Sequence, residues 1–587
     1  MNKKSSPLKR PAPVFWRALK LGFNLMPGHF VGMFLVDEIV AVLPLAGAIL
    51  SRNIFTQVNN AYDGVNYDRR AFILSLILYA LYLAMMKLFS IYYQRVYVQF
   101  NAMPVFEKKV KTLLHLKSDR IGLYHFETPA FFNGIEEARL ASVNIYRLIE
   151  STFLIGSIVT GFIVLSGFIY TIHPALIILI LCAAVPSLLE SFIEGAKRSK
   201  HQTQLVNFQR IEKEKRQCLQ KSVYFKETRT YHSYETLKNS WYCDVANLQE
   251  FTNSIDKSVF FTNLLLELLK TISSISIILL PLFLLYQGDI TYGEFMTTLL
   301  TVSLLQSQTS KLFQTIGNFS KFNLWIKPFF TYMDIEEQTP IKSLTPNIQL
   351  KNISFRYPTR SENAIDRINF EIHRGEKIAI VGVNGAGKST LAKTLLNLLP
   401  PSSGEYLVDS NLINGEASSY QYNHTSALFQ DFCRYSMSLV DNVTFGNNIS
   451  DEKISNLIEI VGLQSDIPKY EILGREFGNT DLSGGEWQRV ALARCFYKDA
   501  ELCLLDEPTS AIDPLSEKEL NDAIIRFAKD KTLIIISHRL SIARLMDRVY
   551  VLNNGSIVES GTHEDLLRNG RLYQRLWQAQ LDWYKNE

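Results

Sequence analysis

Eight residues of this 587-residue chain, Gly382 to Ser389 within "GVNGAGKST", follow the spacing G-x-x-x-x-G-K-[ST]. Those residue types in that order suit polyphosphate binding. Gly382, Gly385 and Gly387 let the backbone curl so that its N–H groups point at phosphate oxygens, and a following helix adds positive potential at its N-terminus. Lys388 then reaches the β- and γ-phosphates and Ser389 ligates Mg²⁺. Asn384, Ala386 and Thr390 complete the loop. A second element is the acidic pair Asp506–Glu507, which ends the apolar run "ELCLL". In a nucleotide site Asp506 would hold the Mg²⁺ shell and Glu507 would polarise the attacking water. His538, in "IIISHRL", stands at another strand end, where it could contact a γ-phosphate. Finally, Leu482, Ser483, Gly484, Gly485 and Glu486 ("LSGGE") open a helix with a serine and two glycines. That makes a second anion-binding N-terminus. One nucleotide needs only one such loop, so the second cradle is surplus within one copy and makes sense if it serves the ATP of another.

These groups must sit on strand ends and helix starts. "IQLKNISFRY" alternates like strands, and "KIAIVGVNGAGKSTLAKTLLNLL" reads as buried strand, glycine-rich turn and helix. The expectation is an α/β P-loop NTPase domain over 348–587, after a linker at 326–347. The net charge of +4 is too small to suggest a nucleic-acid partner. The six cysteines, Cys182, Cys218, Cys243, Cys433, Cys495 and Cys503, lack paired or metal-ligand spacing and read as reduced, structural thiols.

Most long apolar runs lie before about residue 320. A helix needs roughly 20 apolar residues to cross a bilayer. Six stretches reach or approach that: 30–50, 71–89, 153–172, 175–193, 259–286 and 292–313. An α-helical transmembrane domain of six spans is therefore expected over 29–325. Residues 1–28 carry Lys3, Lys4, Lys9, Arg10, Arg17 and Lys20 and no acid. The positive-inside rule makes this segment cytoplasmic, and six spans return the chain to the cytoplasm, so a multi-pass cell-membrane protein with both termini inside is expected. The long charged connections at 90–152 and 194–258 read as membrane helices that continue into the cytosol and are joined by a short transverse helix. Ala46-Gly47-Ala48 offers a signal-peptidase pattern, but Asp37 and Glu38 inside the run argue against it, and we read an uncleaved span. That acidic pair either faces a cavity and meets a cationic substrate, or is protonated or paired with Lys87, Lys270 or another intramembrane base. Glu267, Lys270 and "QSQTS" (306–310) pose the same choice and favour a water-filled interior.

Tyr357, "GVNGAGKST", Gln430, "LSGGE", "LLDEP", "SAID" (510–513) and His538, in this order, resemble the ATP-binding cassette of ABC transporters over about residues 348–575. The six-span half resembles the membrane domain of a type IV ABC exporter, so the whole chain looks like a half-transporter. "LFQDFCRYSMSLVDNV" (428–443), "KETRTY" (226–231) and "FETPAFFN" (126–133) are similar to the lanthipeptide and bacteriocin exporter type, without a leader-cutting peptidase domain before the first span. The resemblance implies a homodimer with two ATPs between the cassettes. Each would be held by Lys388, Ser389 and loop N–H groups of one copy and by Ser483 and Gly485 of the other. Tyr357 would stack on adenine, and Gln430 would touch Mg²⁺ or the attacking water. Glu507 would act as base, His538 would hold the γ-phosphate, and Ser510, Ala511 and Asp513 would form the D-loop. Segments near 118–135 and 222–235 would couple the halves. Phe432, Arg434 and Tyr435 would form a docking surface for such a segment, or pack locally. Two departures stand out: Glu486 where glutamine is commoner, and "LGREFGNTD" (473–481), which follows the exporter pattern only in part. The implied cargo is a modified peptide such as a lanthipeptide precursor, with peptide-modification enzymes as candidate partners beside the lipid bilayer. An exporter of drugs, lipids or other amphiphiles is the alternative. A soluble ABC ATPase acting on nucleic acid or ribosomes is opposed by the six spans and the modest charge.

Overall fold

The computed structural model describes residues 13–585 except 63, 65–67, 338, 344, 414–417, 465–466, 475–479 and 511. The lysines and arginine at 3, 4, 9 and 10, on which the orientation partly rests, lie outside the described residues. The chain divides into two compact units. One comprises residues up to His115 together with Gly134–Asp334, the other Leu116–Asn133 together with Ile335 onward.

The first unit is helical: α1 (Val14–Leu25), α2 (Pro27–Tyr62), α3 (Arg69–Ser90), α4 (Met103–Arg120), α5 (Pro129–Tyr170), α6 (Ala175–Gln220), α7 (Ser222–Thr230), α8 (Tyr234–Gln287) and α9 (Tyr292–Met333), with α4 and α5 extending at one end into the segment that belongs to the second unit. A wider π-helical stretch, Ile91–Ala102, joins α3 to α4 without a break. Each of the six apolar stretches falls in its own long helix, although α5 stops at Tyr170. Among the described residues four helical segments are long and apolar enough to cross a membrane: Pro27–Tyr62, Arg69–Arg120, Gly134–Tyr170 and Tyr234–Gln287. α6 and α9 are not among them, and α9 carries the polar run Gln306–Ser310. As the long charged connections suggest, helices run far past the apolar stretches and short helices join them: a 3-10 turn at Leu123–Glu127 between α4 and α5, and α7 between α6 and α8.

Packing separates these helices. Phe30 on α2, Phe106 on α4 and Tyr146 on α5 are fully buried, and their rings meet pairwise at 5.6–5.7 Å. α3 has no buried residue, and its Leu74, Ile77, Leu81 and Leu88 are exposed. An apolar helix with no protein over it needs an apolar solvent, and a helix is one of the few backbone forms a bilayer tolerates. Lys270 is not the partner of Asp37 or Glu38. Its ammonium pairs with Glu190 on α6 and, at 3.0 Å, with Glu267 one turn away on α8. The Glu267 contact follows helix spacing, three residues apart on one face, while the Glu190 contact crosses from α8 to α6.

The second unit is α/β. Its strands are β1 (Thr339–Ser343), β2 (Ile348–Phe355), β3 (Ile365–Ile372), β4 (Lys377–Gly382), β5 (Ser403–Val408), β6 (Asn411–Ile413), β7 (Ser418–Gln421), β8 (Thr425–Leu428), β9 (Leu502–Asp506), β10 (Thr532–Ile536), β11 (Arg548–Asn553) and β12 (Ser556–Gly561). Its helices are α10 (Lys388–Leu395), α11 (Leu439–Thr444), α12 (Asp451–Ile460), α13 (Gly484–Lys498), α14 (Pro514–Phe527), α15 (His563–Arg568) and α16 (Leu572–Lys585). The main sheet has the order β12-β11-β4-β10-β9-β8, parallel except for β11 with β12. An antiparallel sheet, β3-β2-β5-β6, lies against it.

Side chains of the central strands point alternately to two cores. Ala379, Val381, Cys503, Leu505, Leu533 and Ile535 enter one, with α11–α14. Ile378, Ile380, Leu502, Leu504, Ile534 and Ile536 enter the other, with the antiparallel sheet and α10. This two-sided burial explains why "TLIII" and "LCLL" are uninterrupted apolar runs. Tyr124, from the short segment 116–133, packs against the second core. Ile534→Ala should leave a cavity there and cost about 2–5 kcal/mol. Thermal unfolding of the purified chain without nucleotide checks this, and an unchanged midpoint would contradict the two-core description.

Candidate nucleotide site

The phosphate loop leaves β4 at Gly382 and enters α10 at Lys388. Gly382 has φ +155°, and a Cβ there would stand 2.2 Å from the Leu552 carbonyl oxygen on β11. Gly387 has φ +97°, and a Cβ would stand 2.5 Å from the Ala364 carbonyl oxygen. Only glycine satisfies both constraints at each position. Lys388 is buried, and its ammonium donates to the carbonyls of Gly382 at 3.0 Å and Val383 at 3.1 Å. Burial pushes its pKa below the usual lysine range, against the pull of Glu507 and Asp506.

Three adjacent parallel strands deliver the other polar groups at their carboxyl ends. Gln430 follows β8, Glu507 follows β9 and His538 follows β10. This edge is where open α/β sheets hold ligands. Glu507 Oε1 lies 3.1 Å from His538 Nδ1, and Gln430 Nε2 donates to Glu507 Oε2 at 3.4 Å. Glu507 has φ +53°, an uncommon conformation for a residue with a side chain, and its N–H donates to the Ile536 carbonyl at 2.8 Å. The backbone thus turns at the residue whose carboxylate meets both neighbours.

Asp506, the last residue of β9, is buried. Burial pushes its carboxyl up to about 6, the Ser389 hydroxyl bond pulls it down, and the Glu507 charge pushes it up. Its Oδ1 has no hydrogen-bond partner. A buried carboxylate oxygen without a donor, beside a serine hydroxyl, fits a hard cation that takes oxygen ligands and keeps waters, as Mg²⁺ does.

Tyr357, Asn384, Gly385, Gly387, Lys388, Ser389, Thr390, Gln430, Glu507 and His538 line one cavity of about 920 Å³. Tyr357 Oη lies 3.2 Å from Thr390 Oγ1. Ala386 instead packs in the core, and Gly382 contributes the carbonyl that Lys388 binds. Among the described residues Leu482–Glu486 are not part of this lining. Ser483 caps α13 in a capping box: its N–H donates to Glu486 Oε2 at 2.7 Å, and Glu486 N–H donates back to Ser483 Oγ at 3.3 Å. The unusual Glu486 therefore serves its helix start. Gln488, one turn on, donates to the Glu507 carbonyl at 2.8 Å and to Ser510 Oγ at 3.2 Å. Asp513 Oδ1 accepts from Ser516 N–H at 3.0 Å at the start of α14. Ala511 and residues 475–479 lie outside the described residues.

The loop after Gln430 is held by Arg494. Its guanidinium donates to the Cys433 carbonyl at 2.8 Å and to Asn442 at 2.7 Å, and it covers the Tyr435 ring at 4.9 Å. Arg434 lies 6.0 Å from the Phe432 ring. Phe432 and Tyr435 also line a separate hollow of about 290 Å³. Local packing and an open face coexist here.

Sequence reasoning did not single out Glu127, Gln488 or Gln580. Glu127 lines the nucleotide cavity and lies 3.7 Å from Lys393 on α10. Its only sequence signal was membership in "FETPAFFN".

Comparison with known proteins identifies the family. The family model described as "ABC transporter" matches residues 365–510. The subtilin transport ATP-binding protein SpaT of Bacillus subtilis is 31% identical over 485 residues, 78% of this chain and 78% of its own length. The chain belongs to the ABC transporter family. The nisin transport ATP-binding protein NisT of Lactococcus lactis subsp. lactis is 29% identical over 343 residues, 55% of this chain and 57% of its own length. A solved bacterial Atm1-family ABC exporter with ATP bound shares the fold over 95% of this chain and 98% of its own, with TM-score 0.77 and 18% identity. The chain is therefore an ABC transporter with the fold of an exporter: a multi-pass membrane part followed by an ATP-binding domain that couples ATP hydrolysis to transport.

Lys388→Ala removes a buried cation from the phosphate loop and should weaken ATP binding by roughly 10–100-fold, the usual worth of a charged hydrogen-bonding partner. Titration calorimetry would read this, and unaltered affinity would contradict the placement of Lys388. Asp506→Asn should abolish the effect of Mg²⁺ on nucleotide binding while leaving Mg²⁺-free binding in place; a retained Mg²⁺ response would contradict the metal assignment.

Proposed function

We propose that two copies of this chain form an exporter that moves a modified peptide of the lanthipeptide type out of the cytoplasm. The observation that carries the cargo reading is the similarity to the subtilin transport protein along most of both chains, with the nisin transport protein beside it. In this reading residues 1–28 are a cytoplasmic N-terminal segment, 29–325 the membrane domain, 326–347 the linker and 348–587 the cassette. Both termini are cytoplasmic. Enzymes that modify the peptide are the further partners this cargo implies.

The residues divide the work as follows. Backbone N–H groups of Gly385, Ala386 and Gly387 and the Lys388 ammonium bind the β- and γ-phosphates, with Asn384 and Thr390 closing the loop. Tyr357 lies against the base. Ser389, Asp506 and Gln430 hold Mg²⁺, which when bound neutralises phosphate charge. Glu507 Oε takes the proton of the attacking water as it adds to the γ-phosphorus, and the bond from that phosphorus to the bridging oxygen of ADP breaks. His538, 3.1 Å from Glu507, orients that carboxylate and reaches the γ-phosphate. Each site is completed by Leu482–Glu486 and by the D-loop residues Ser510, Ala511 and Asp513 of the other copy. Within one chain, Gln488 ties the signature helix to the Glu507 carbonyl and to Ser510 of the D-loop, so a displacement of either segment would be felt by the other. Contacts that exist only with ATP between two cassettes bias the pair toward closure, and hydrolysis removes the bias.

Glu507→Gln should bind ATP with little change and lose turnover by at least about 100-fold, the scale of general-base catalysis. Phosphate release at near-normal rate would sink the base assignment. For the cargo, ATPase activity in lipid nanodiscs should rise with a leader-bearing modified peptide and not with drugs or lipids. Stimulation by the latter alone would replace the peptide reading with the amphiphile one.

A further inference from the structure

His538 sits at the start of a short loop, Ser537–Ser541, that leaves β10. Two side chains from distant elements grip this loop. Gln580, on α16, uses both halves of its amide: Nε2 donates to the His538 carbonyl, and Oε1 accepts from the Leu540 N–H at 2.9 Å. A carbonyl only accepts and a backbone N–H only donates, so these two partners fix the orientation of the amide. On the other side Glu517, buried on α14, pairs with the Arg539 guanidinium and accepts from Ser541 Oγ at 3.0 Å. The Arg539 N–H closes back onto Ser537 Oγ at 2.9 Å.

Gln580 is no loose surface group. Its helix is seated by Tyr573, which is fully buried, lies with its hydroxyl 2.8 Å from His563 Nδ1, and donates its N–H to Glu559 Oε1 at 3.2 Å. Leu572, Leu576 and Trp577 pack against the core that β10 also enters. The clamp therefore ties the peptide units on either side of Arg539 to a firmly packed helix.

We propose that Gln580 is a positioning residue for ATP hydrolysis: by holding the His538 carbonyl and the Leu540 N–H it keeps the His538 imidazole against Glu507. This rests on the reading of His538 given under the proposed function. The backbone torsions at His538 and Arg539 set the direction of the imidazole. Without the clamp the loop samples other arrangements, and only a fraction of copies hold the imidazole in place. The rate falls to that fraction of the parent's. Gln580 does not line the nucleotide cavity, so the effect should fall on turnover and leave nucleotide affinity alone.

The test is single-turnover ATP hydrolysis and ATP binding by the full chain in nanodiscs. Gln580→Ala removes the amide. Gln580→Glu keeps its size but places an acceptor against the His538 carbonyl, and it carries the test should the alanine variant fail to fold. Both should hydrolyse about 10–100-fold more slowly, the scale of a small misplacement at a reacting centre, with ATP affinity within about twofold of the parent. In a His538→Ala background, Gln580→Ala should add nothing further. Wild-type rates for the Gln580 variants beside a slow His538→Ala overturn the clamp and leave the site reading intact. An additive loss in the double variant also overturns it, because Gln580 would then act on the fold and not through His538. A normal rate for His538→Ala overturns the site reading and the clamp with it.

Discussion

The nucleotide site depends on the parallel pairing of β4, β10, β9 and β8. Parallel strands align their carboxyl ends on one edge, and here each of the four ends in a group with chemical use: the phosphate loop, His538, Glu507 and Gln430. The pairing is held by burial on both faces, with successive residues of each strand entering different cores. A register slip of one residue would exchange the two cores and turn every end group away from the cavity. The chemistry is therefore positioned by apolar side chains that never touch the nucleotide.

The membrane part answers to a different solvent. Its helices use aromatic contacts where they meet, as at Phe30, Phe106 and Tyr146, and leave apolar faces bare elsewhere, as along α3. Charge inside it is handled locally. Lys270 takes Glu190 and Glu267 as partners, which lowers the cost of all three in a low-dielectric setting.

What was legible in the sequence was what is local. The phosphate loop announces itself because strand, glycines, lysine and helix are consecutive. Asp506, Glu507 and His538 each follow an apolar run, but they gain weight only from their companions, above all the phosphate loop earlier in the chain. The six long helices follow from composition. The clamps were not legible: Gln580 meets His538 from 42 residues away, Gln488 meets Glu507 from 19 away, and Glu190 meets Lys270 from 80 away. Each uses a common residue type on a helix face, where no spacing rule predicts a partner. Glu127 lies within "FETPAFFN", yet its approach to Lys393 needs residues 116–133 to fold with the chain from Ile335 onward, which no local pattern shows.

We propose that the site is finished only between two copies; in one chain Ser483 caps its own helix and is not among the residues that line the cavity. The most direct measurement mixes two inactive chains in one preparation, one carrying Lys388→Ala and the other Ser483→Ala, and follows ATP hydrolysis. Mixed pairs would contain one site with both lesions and one with neither. The account predicts that activity returns on mixing. A mixture as inactive as either chain alone, with mixed pairs shown to form, would contradict it.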